Sequence, residues 1–521
     1  MKKQNGHHSN LSIGETAELF HVSSSTISNW IKEGLLKLDA DRCVTKESLR
    51  RFQTDYAGKS KLNSRANKLL KDMHDVAEVG LSIQTELDST PFDDNIGQRY
   101  EAMLSDSYRN REGIYYTPMT IVDDMLKGVE ANESTTFLDP CCGSGNFLIK
   151  AIEKGVSPMN VYGFDTDPNA VMIARRRIKE LTGCEPPHVI CADFLEECQK
   201  LGMRFDLVFT NPPWGKKLPK SNRMRLARQY QAGGSADTCS LFLFAVLSVL
   251  RSRGVAGLLM PDSFFKIAVF EDARRTVLQE TIHRIVDYGK PFENMYSAVS
   301  IIFQRKEYDR NHKVCCHFDH EDCCRLQKSF LQMPGCNLNY WTKEGEMRLI
   351  EELLKSPHFL LKEHASWGMG IVTGNNAKIC KRSRRVGLKP VYRGKDILPG
   401  KLKAAKLFIN PADFPRCHQM APMAMFLAPE KLIYRFISND LVFFCDTKQR
   451  FFLNSANMLV LDEGFPLTTQ QLAEILNSPL TNWLFKQLFN THKVLRGDLE
   501  RLPIITDSSL HRRFDLFDFN G

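Results

Sequence analysis

Phe137-Leu-Asp-Pro-Cys-Cys-Gly-Ser-Gly-Asn-Phe147 decides the fold. A short apolar run ends on an acid, Asp139. Gly143 and Gly145 then open a tight loop, and a helical pattern begins. Strand, glycine loop and helix in that order mark the ligand-binding edge of a doubly wound sheet. Glycines allow a ligand to approach the backbone with no Cβ in the way. The spacing is not that of a dinucleotide fingerprint, and no Gly-Lys-Ser/Thr follows for a triphosphate.

Outward from this stretch, apolar strands alternate with helical patterns from 111 to about 306. They are TFLDP, NVYGFD, PHVICAD, FDLVFTNPP, GVAGLLMP, HRIVDYG and AVSIIFQR. Such alternation predicts an α/β fold, a mostly parallel sheet of seven strands with helices on both faces. The apolar stretch Ser240 to Leu250 is too short for a membrane span and predicts a buried helix.

Acids recur at the strand ends. Asp165 closes Val161-Tyr-Gly-Phe-Asp165, 26 residues after Asp139. An acid there can accept both ribose hydroxyls of a nucleoside. Asp193 follows the next strand and can take an adenine amine, while Phe194 can stack on the ring. Asp139 can hold the ammonium of an amino-acid ligand. Each acid alone would pass for a cap or turn residue; three at successive strand tips point to one ligand.

The fourth strand runs into Thr210-Asn211-Pro212-Pro213-Trp214. Two prolines fix φ and remove backbone donors, leaving carbonyls as acceptors. The Asn211 amide oxygen and the Pro212 carbonyl can then accept both hydrogens of one amino group. The lone pair of an adenine or amide NH₂ is delocalised into a π-system. Accepting its hydrogens moves the nitrogen towards sp³ and frees that pair for an activated methyl. Trp214 offers a flat face to a planar substrate.

The order and wording of these motifs resemble the gamma-class, TaqI-like N6-adenine methyltransferases of DNA. Gly113-Ile-Tyr-Tyr-Thr-Pro118 resembles the family's motif X, DPCCGSGNF motif I, FDTDP motif II, ADF motif III and NPPW the catalytic motif IV. The family more often has Tyr or Phe where Trp214 stands. In the last third, GIVTGNN, PVYRGKDI, PEKLIYRF and LAEILNSPLTNWLFK are similar to the family's target-recognition domain. The resemblance implies a Rossmann-like core using S-adenosylmethionine, with no metal. It gives Tyr116, Thr117, Asp139, Pro140, Gly143, Gly145, Asp165, Asp193, Phe194 and Asn211 to that cofactor. It gives catalysis to Asn211, Pro212, Pro213 and Trp214. Phe292 is the expected second face around a base flipped out of double-stranded DNA. A separate cognate restriction endonuclease is an expected partner.

The expected organisation is a helix-turn-helix-like module at 1–52, a helical connector and lid at 53–110, the catalytic domain at 111–340, and a mixed α/β recognition domain at 341–521. Net charge is +9 over 521 residues. Eleven Lys or Arg against one acid, Asp396, fall between Lys378 and Lys406, so the rest of the chain is close to neutral. Six more basic residues lie between Gly215 and Arg228. Concentrated positive charge suits phosphates; a solvated loop is the ordinary alternative. Fifteen cysteines, an odd count without a disulfide-like framework, together with the polar start MKKQNGHHSN, suggest a reducing cytoplasm and no secretory signal. The cluster Cys315-Cys-His-Phe-Asp-His-Glu-Asp-Cys-Cys324 does not match zinc-knuckle spacing, and KVCCHF, in the segment 307–340, alternates like a further strand. Pro261-Asp262 lacks the partners of a nuclease motif. RNA adenine, protein glutamine, or a non-catalytic DNA-binding regulator are the alternatives to DNA methylation.

Overall fold

The computed structural model describes residues 10–20, 22, 24–56, 79–85, 87, 95–105, 108–109, 112–292 and 297–515. The chain forms two compact units. One comprises 1–231 with 236–260, the other 232–235 with 261–521. The division falls inside the segment 111–340.

In the first unit, β1 (Phe137–Asp139), β2 (Val161–Asp165), β3 (Val189–Cys191), β4 (Phe205–Thr210) and β5 (Leu250–Pro261) run in the order β3-β2-β1-β4-β5. Every pairing among them is parallel. Phe137, Leu138 and Asp139 are all buried, as a central strand covered on both faces requires. The chain crosses from β1 to β2 in one direction and reaches β4 on the other side, so the tips of β1 and β4 flank the switch point where ligands bind in such sheets. The helix Thr238–Val249 is apolar on nearly every face and buries all but Leu247 and Ser248, in line with the buried helix expected at 240–250.

Two helices of the N-terminal segment, Ile13–Leu19 and Ser24–Lys32, pack with a third, Lys46–Asp55. Trp30, Phe20 and Phe52 form their core, with Trp30 and Phe52 ring centroids 4.6 Å apart.

The second unit carries β6 (Thr281–Asp287), β7 (Ala298–Gln304), β8 (Lys313–Phe318) and β9 (Glu321–Leu326). β6 and β7 are antiparallel, β6 and β8 parallel, and β8 and β9 form a hairpin. All seven expected strands are present, five in the first unit and two in the second. β8 is the strand expected from KVCCHF; β9 is additional, and, rich in Glu, Asp and Cys, it has little of the apolar alternation that marks a strand. The hairpin accounts for the cysteine cluster: Cys315 faces Cys324 and Cys316 faces Cys323 in register. Among the described residues no three metal-ligating side chains converge. Asp262 pairs with Lys266 at 2.9 Å.

Further on, Ala365–Met369, Ala456–Leu461, Lys431–Arg435 and Phe443–Asp446 make an antiparallel sheet in that order. Strand periodicity divides its side chains: Leu432 and Tyr434 enter a core with helices Thr469–Leu476 and Pro479–Phe489, while Ile433 enters a separate core with Val391 and Phe452. Ser478 splits the helical finish by capping the second helix, accepting from the Thr481 N–H at 3.3 Å. At the end of Phe443–Asp446, Asp446 is fully buried against Lys431 (2.8 Å), itself fully buried, and Arg450 (2.7 Å). Burial alone would raise the Asp446 carboxyl; hydrogen bonds from Lys431 and the Arg450 backbone outweigh it and hold the group below its ordinary value.

Removing Lys431 takes one of two cations from a fully buried carboxylate, and breaking a buried ion pair is strongly destabilising. Lys431→Ala is therefore expected to cost about 3 kcal/mol in urea unfolding at pH 7.

Candidate active site

The tips of β1 to β4 open into a cavity of about 480 Å³. Tyr116, Pro140, Gly143, Asp165, Asp193, Phe194, Asn211 and Pro213 line it. Thr117, Asp139, Gly145, Pro212 and Trp214 are buried without lining it. Phe292 is a buried residue of the second unit.

The glycine loop is shaped by close contacts. Gly143 has φ +48°, and a Cβ there would come 2.9 Å from the Tyr116 ring. Gly145 has φ +90° and lies against Ala174, 3.0 Å from where its Cβ would stand. Only glycine fits both the conformation and the space. Asp165 accepts from the N–H groups of Gly143 and Asp167, each at 2.9 Å. Arg177 is buried and donates to the Ser144 carbonyl (2.7 Å) and Asn146 Oδ1 (2.6 Å), fastening the loop from behind. Nothing in the sequence marks it among its neighbours Arg175 and Arg176.

Burial raises all three strand-end acids. Asp139 is pushed up to about 7, although the Cys141 N–H donates to it at 3.0 Å. Asp165 and Asp193 are also raised by burial. Asp193 caps the helix Phe194–Glu197, accepting from Leu195 N–H at 2.9 Å. Phe194 meets Phe164 edge-on at 5.3 Å. Asp165 and Asp193 line a cavity in which Lys216 is the lining cation, itself 3.3 Å from Glu112, and Asp139 is buried beside it. The site is electrostatically suited to a ligand that brings positive charge and hydroxyl donors.

Beyond β4, Asn211 donates from Nδ2 to the Tyr115 carbonyl at 2.8 Å. That bond fixes which end of the amide is oxygen. Asn211 Oδ1 is buried and has no hydrogen-bond partner. The phenol oxygen of Tyr116 is likewise buried and unpartnered. A buried acceptor without a donor costs about 1–3 kcal/mol, so such atoms in a ligand-sized cavity indicate groups that a ligand satisfies. The Asn-Pro-Pro-Trp corner is held rigidly. Trp214 donates from Nε1 to the Leu259 carbonyl of β5 at 3.2 Å. Gly113 (φ +72°) lies so close beneath the corner that a Cβ would stand 2.7 Å from the Trp214 nitrogen. The role of Gly113 was legible only as part of a motif, because its contact, Trp214, is 101 residues on in the chain.

Comparison with known proteins agrees with this geometry. Residues 92–330 match the N-6 DNA Methylase family, and 389–504 match the TaqI-like C-terminal specificity domain. The chain is 40% identical over 390 residues to the type II methyltransferase M.VspI of Vibrio sp. (strain 343), covering 74% of this chain and 96% of that protein. The chain belongs to the N-6 DNA methylase family. It is accordingly an enzyme that methylates DNA adenine, and its chemistry requires a methyl donor. Two solved structures share its fold at 12% identity. The DrdV–DNA complex has a TM-score of 0.53, with 97% of this chain and 65% of that one covered. The type IIL restriction-modification enzyme MmeI in complex with DNA has a TM-score of 0.51, with 85% and 73% covered. The chain thus spans just under two thirds of the DrdV chain.

Two outcomes follow for the methylase. In Gly113→Ala the added methyl must displace the Trp214 backbone, so methyl transfer should fall about 10²-fold with the circular dichroism of the chain unchanged. Asp139 has its folded pKa raised above the unfolded value. Between roughly pH 4 and 7 the native state keeps a proton that the unfolded chain has lost, so this group's share of stability falls as pH rises. Asp139→Asn should flatten that part of the stability–pH profile of the ligand-free protein, measured by urea unfolding.

Proposed function

We propose that the chain methylates N6 of adenine in double-stranded DNA at a specific site, with S-adenosylmethionine as donor and the target base flipped out of the helix. The observation that carries this reading is the orphaned Asn211 Oδ1 at the mouth of β4, beside the glycine loop. The cavity suits the donor. Its size is that of a small-molecule site, its acids await an ammonium and hydroxyls, and Gly143 leaves room for close backbone approach. Asp139 and the loop would hold the amino-acid end, Asp165 the ribose, and Asp193 with Phe194 the adenine. S-Adenosylmethionine, when bound, supplies an electrophilic methyl.

The protein's own groups do the rest. Asn211 Oδ1 accepts one N–H of the target amine, and the Pro212 carbonyl is the proposed acceptor for the other. Both strip the amine of its conjugation while the Tyr115 carbonyl keeps the amide from rotating. Catalysis is then positioning and polarisation by a preorganised dipole. The stacking role given to Phe292 rests on the sequence resemblance, as does that of Trp214. Arg382, Arg384 and Arg385, just ahead of the matched specificity domain, are exposed and have no acidic partner among the described residues, which suits them to backbone phosphates. A restriction-modification role with a separate endonuclease belongs to the same proposal. So does a reducing, cytoplasmic setting, supported by fifteen cysteines that are all free. No helix among the described residues is long and apolar enough to cross a membrane.

The test is transfer of labelled methyl from S-adenosylmethionine to duplex DNA, RNA and protein, followed by nucleoside analysis. Label in N6-methyladenine of duplex DNA is expected, and Asn211→Ala should reduce it at least about 10²-fold. Label confined to RNA or protein, or full activity in Asn211→Ala, would reject the proposal.

A further inference from the structure

The helix at 79–85 takes no part in the motifs above, yet Gly80, Leu81 and Gln84 line the cavity. Sixteen large apolar side chains are exposed among the described residues, and Leu81 is the one of them that lines this cavity. It is 67% exposed. A single exposed leucine on a surface is ordinary. One held at the rim of a ligand-sized cavity by a buried anchor is not.

The anchor is explicit. Ile83, two residues on, is fully buried with Ile96, Tyr100, Ala170 and Ile173. Gly80 presses on Asn169, 2.7 Å from where a Cβ would stand. Asn169 donates to the Tyr100 hydroxyl (3.3 Å), which donates to Asp167 Oδ2 (2.7 Å). The helix is therefore keyed to the loop that leaves β2, two to four residues beyond Asp165. Asp165 is where the ribose is placed in the proposal above. Leu81 consequently stands at the adenosine end of the cavity. Ile114 and Tyr108 also line the cavity with apolar surface.

We infer that Leu81 is a cofactor-contacting residue, an apolar cap over the adenosine of S-adenosylmethionine, supplied from outside the glycine-loop and Asn-Pro-Pro-Trp motifs. The inference rests on the cofactor assignment. Its exposed area leaves water when the adenosine arrives, and the contact adds affinity without touching the transferred methyl. The residue should act on binding and leave the turnover of saturated enzyme unaltered.

Titration calorimetry of the full chain tests it with three ligands: S-adenosylmethionine, S-adenosylhomocysteine and 5′-methylthioadenosine, which keeps the adenosine and lacks the amino acid. Leu81→Ser should raise Kd about tenfold for all three. Leu81→Met should stay near wild type, and Ser82→Ala, an exposed neighbour that does not line the cavity, should be unchanged. Folding is not at stake, since the side chain is largely in solvent. Wild-type binding with an unaltered Kd in Leu81→Ser overturns the cap alone, as does a loss confined to the two ligands that carry the amino acid. Absence of binding by the wild type overturns the cofactor assignment and the cap with it.

Discussion

The proposed chemistry depends on one hydrogen bond: Asn211 Nδ2 to the Tyr115 carbonyl, 2.8 Å. An asparagine amide free to rotate could offer either end to a substrate. Tied at nitrogen, it can only present oxygen, and that oxygen is buried with nothing to accept. The unsatisfied acceptor is a standing cost to the folded state of about 1–3 kcal/mol. Such a cost is typical of a site whose missing partner is its ligand. Once the polarity of the amide is fixed, an amine is the natural guest and a carbonyl is not.

Much of the surrounding unit holds that bond in place. β4 delivers Asn211 to the sheet edge, and the prolines that follow stiffen the corner. The 113–116 segment supplies Tyr115 from far away in sequence, with Gly113 thin enough to slide under the Trp214 backbone. Tyr116 then lies across Gly143, joining the amine-binding corner to the glycine loop. Arg177 clamps that loop from behind through Ser144 and Asn146. The proposed donor and acceptor pockets are thus two ends of one braced wall, which is what in-line transfer between two bound molecules needs.

The strands and strand-tip acids were legible in the sequence because their signals are local: apolar runs, glycines, and an acid where each run stops. Asn211 was legible for the same reason. Arg177, the Gly113 contact and Leu81 were not, since each depends on what the chain brings beside it. Arg177 differs from Arg175 only in facing inward. Leu81 sits in a polar stretch whose period is too short to announce a buried face. β9 was missed because Glu321, Asp322 and Cys324 are strand residues only by virtue of pairing with β8. Asp139 also proved to be fully buried, its carboxyl pushed up to about 7. No pattern of residue types could have shown that.

The sharpest test of the central claim is a structure of the enzyme with a non-reactive cofactor analogue and duplex DNA containing the target adenine. It should show the adenine outside the helix with its N6 within about 3 Å of Asn211 Oδ1, and Nδ2 still on the Tyr115 carbonyl. A target amine held by other groups, with Oδ1 turned away from it, would contradict the account.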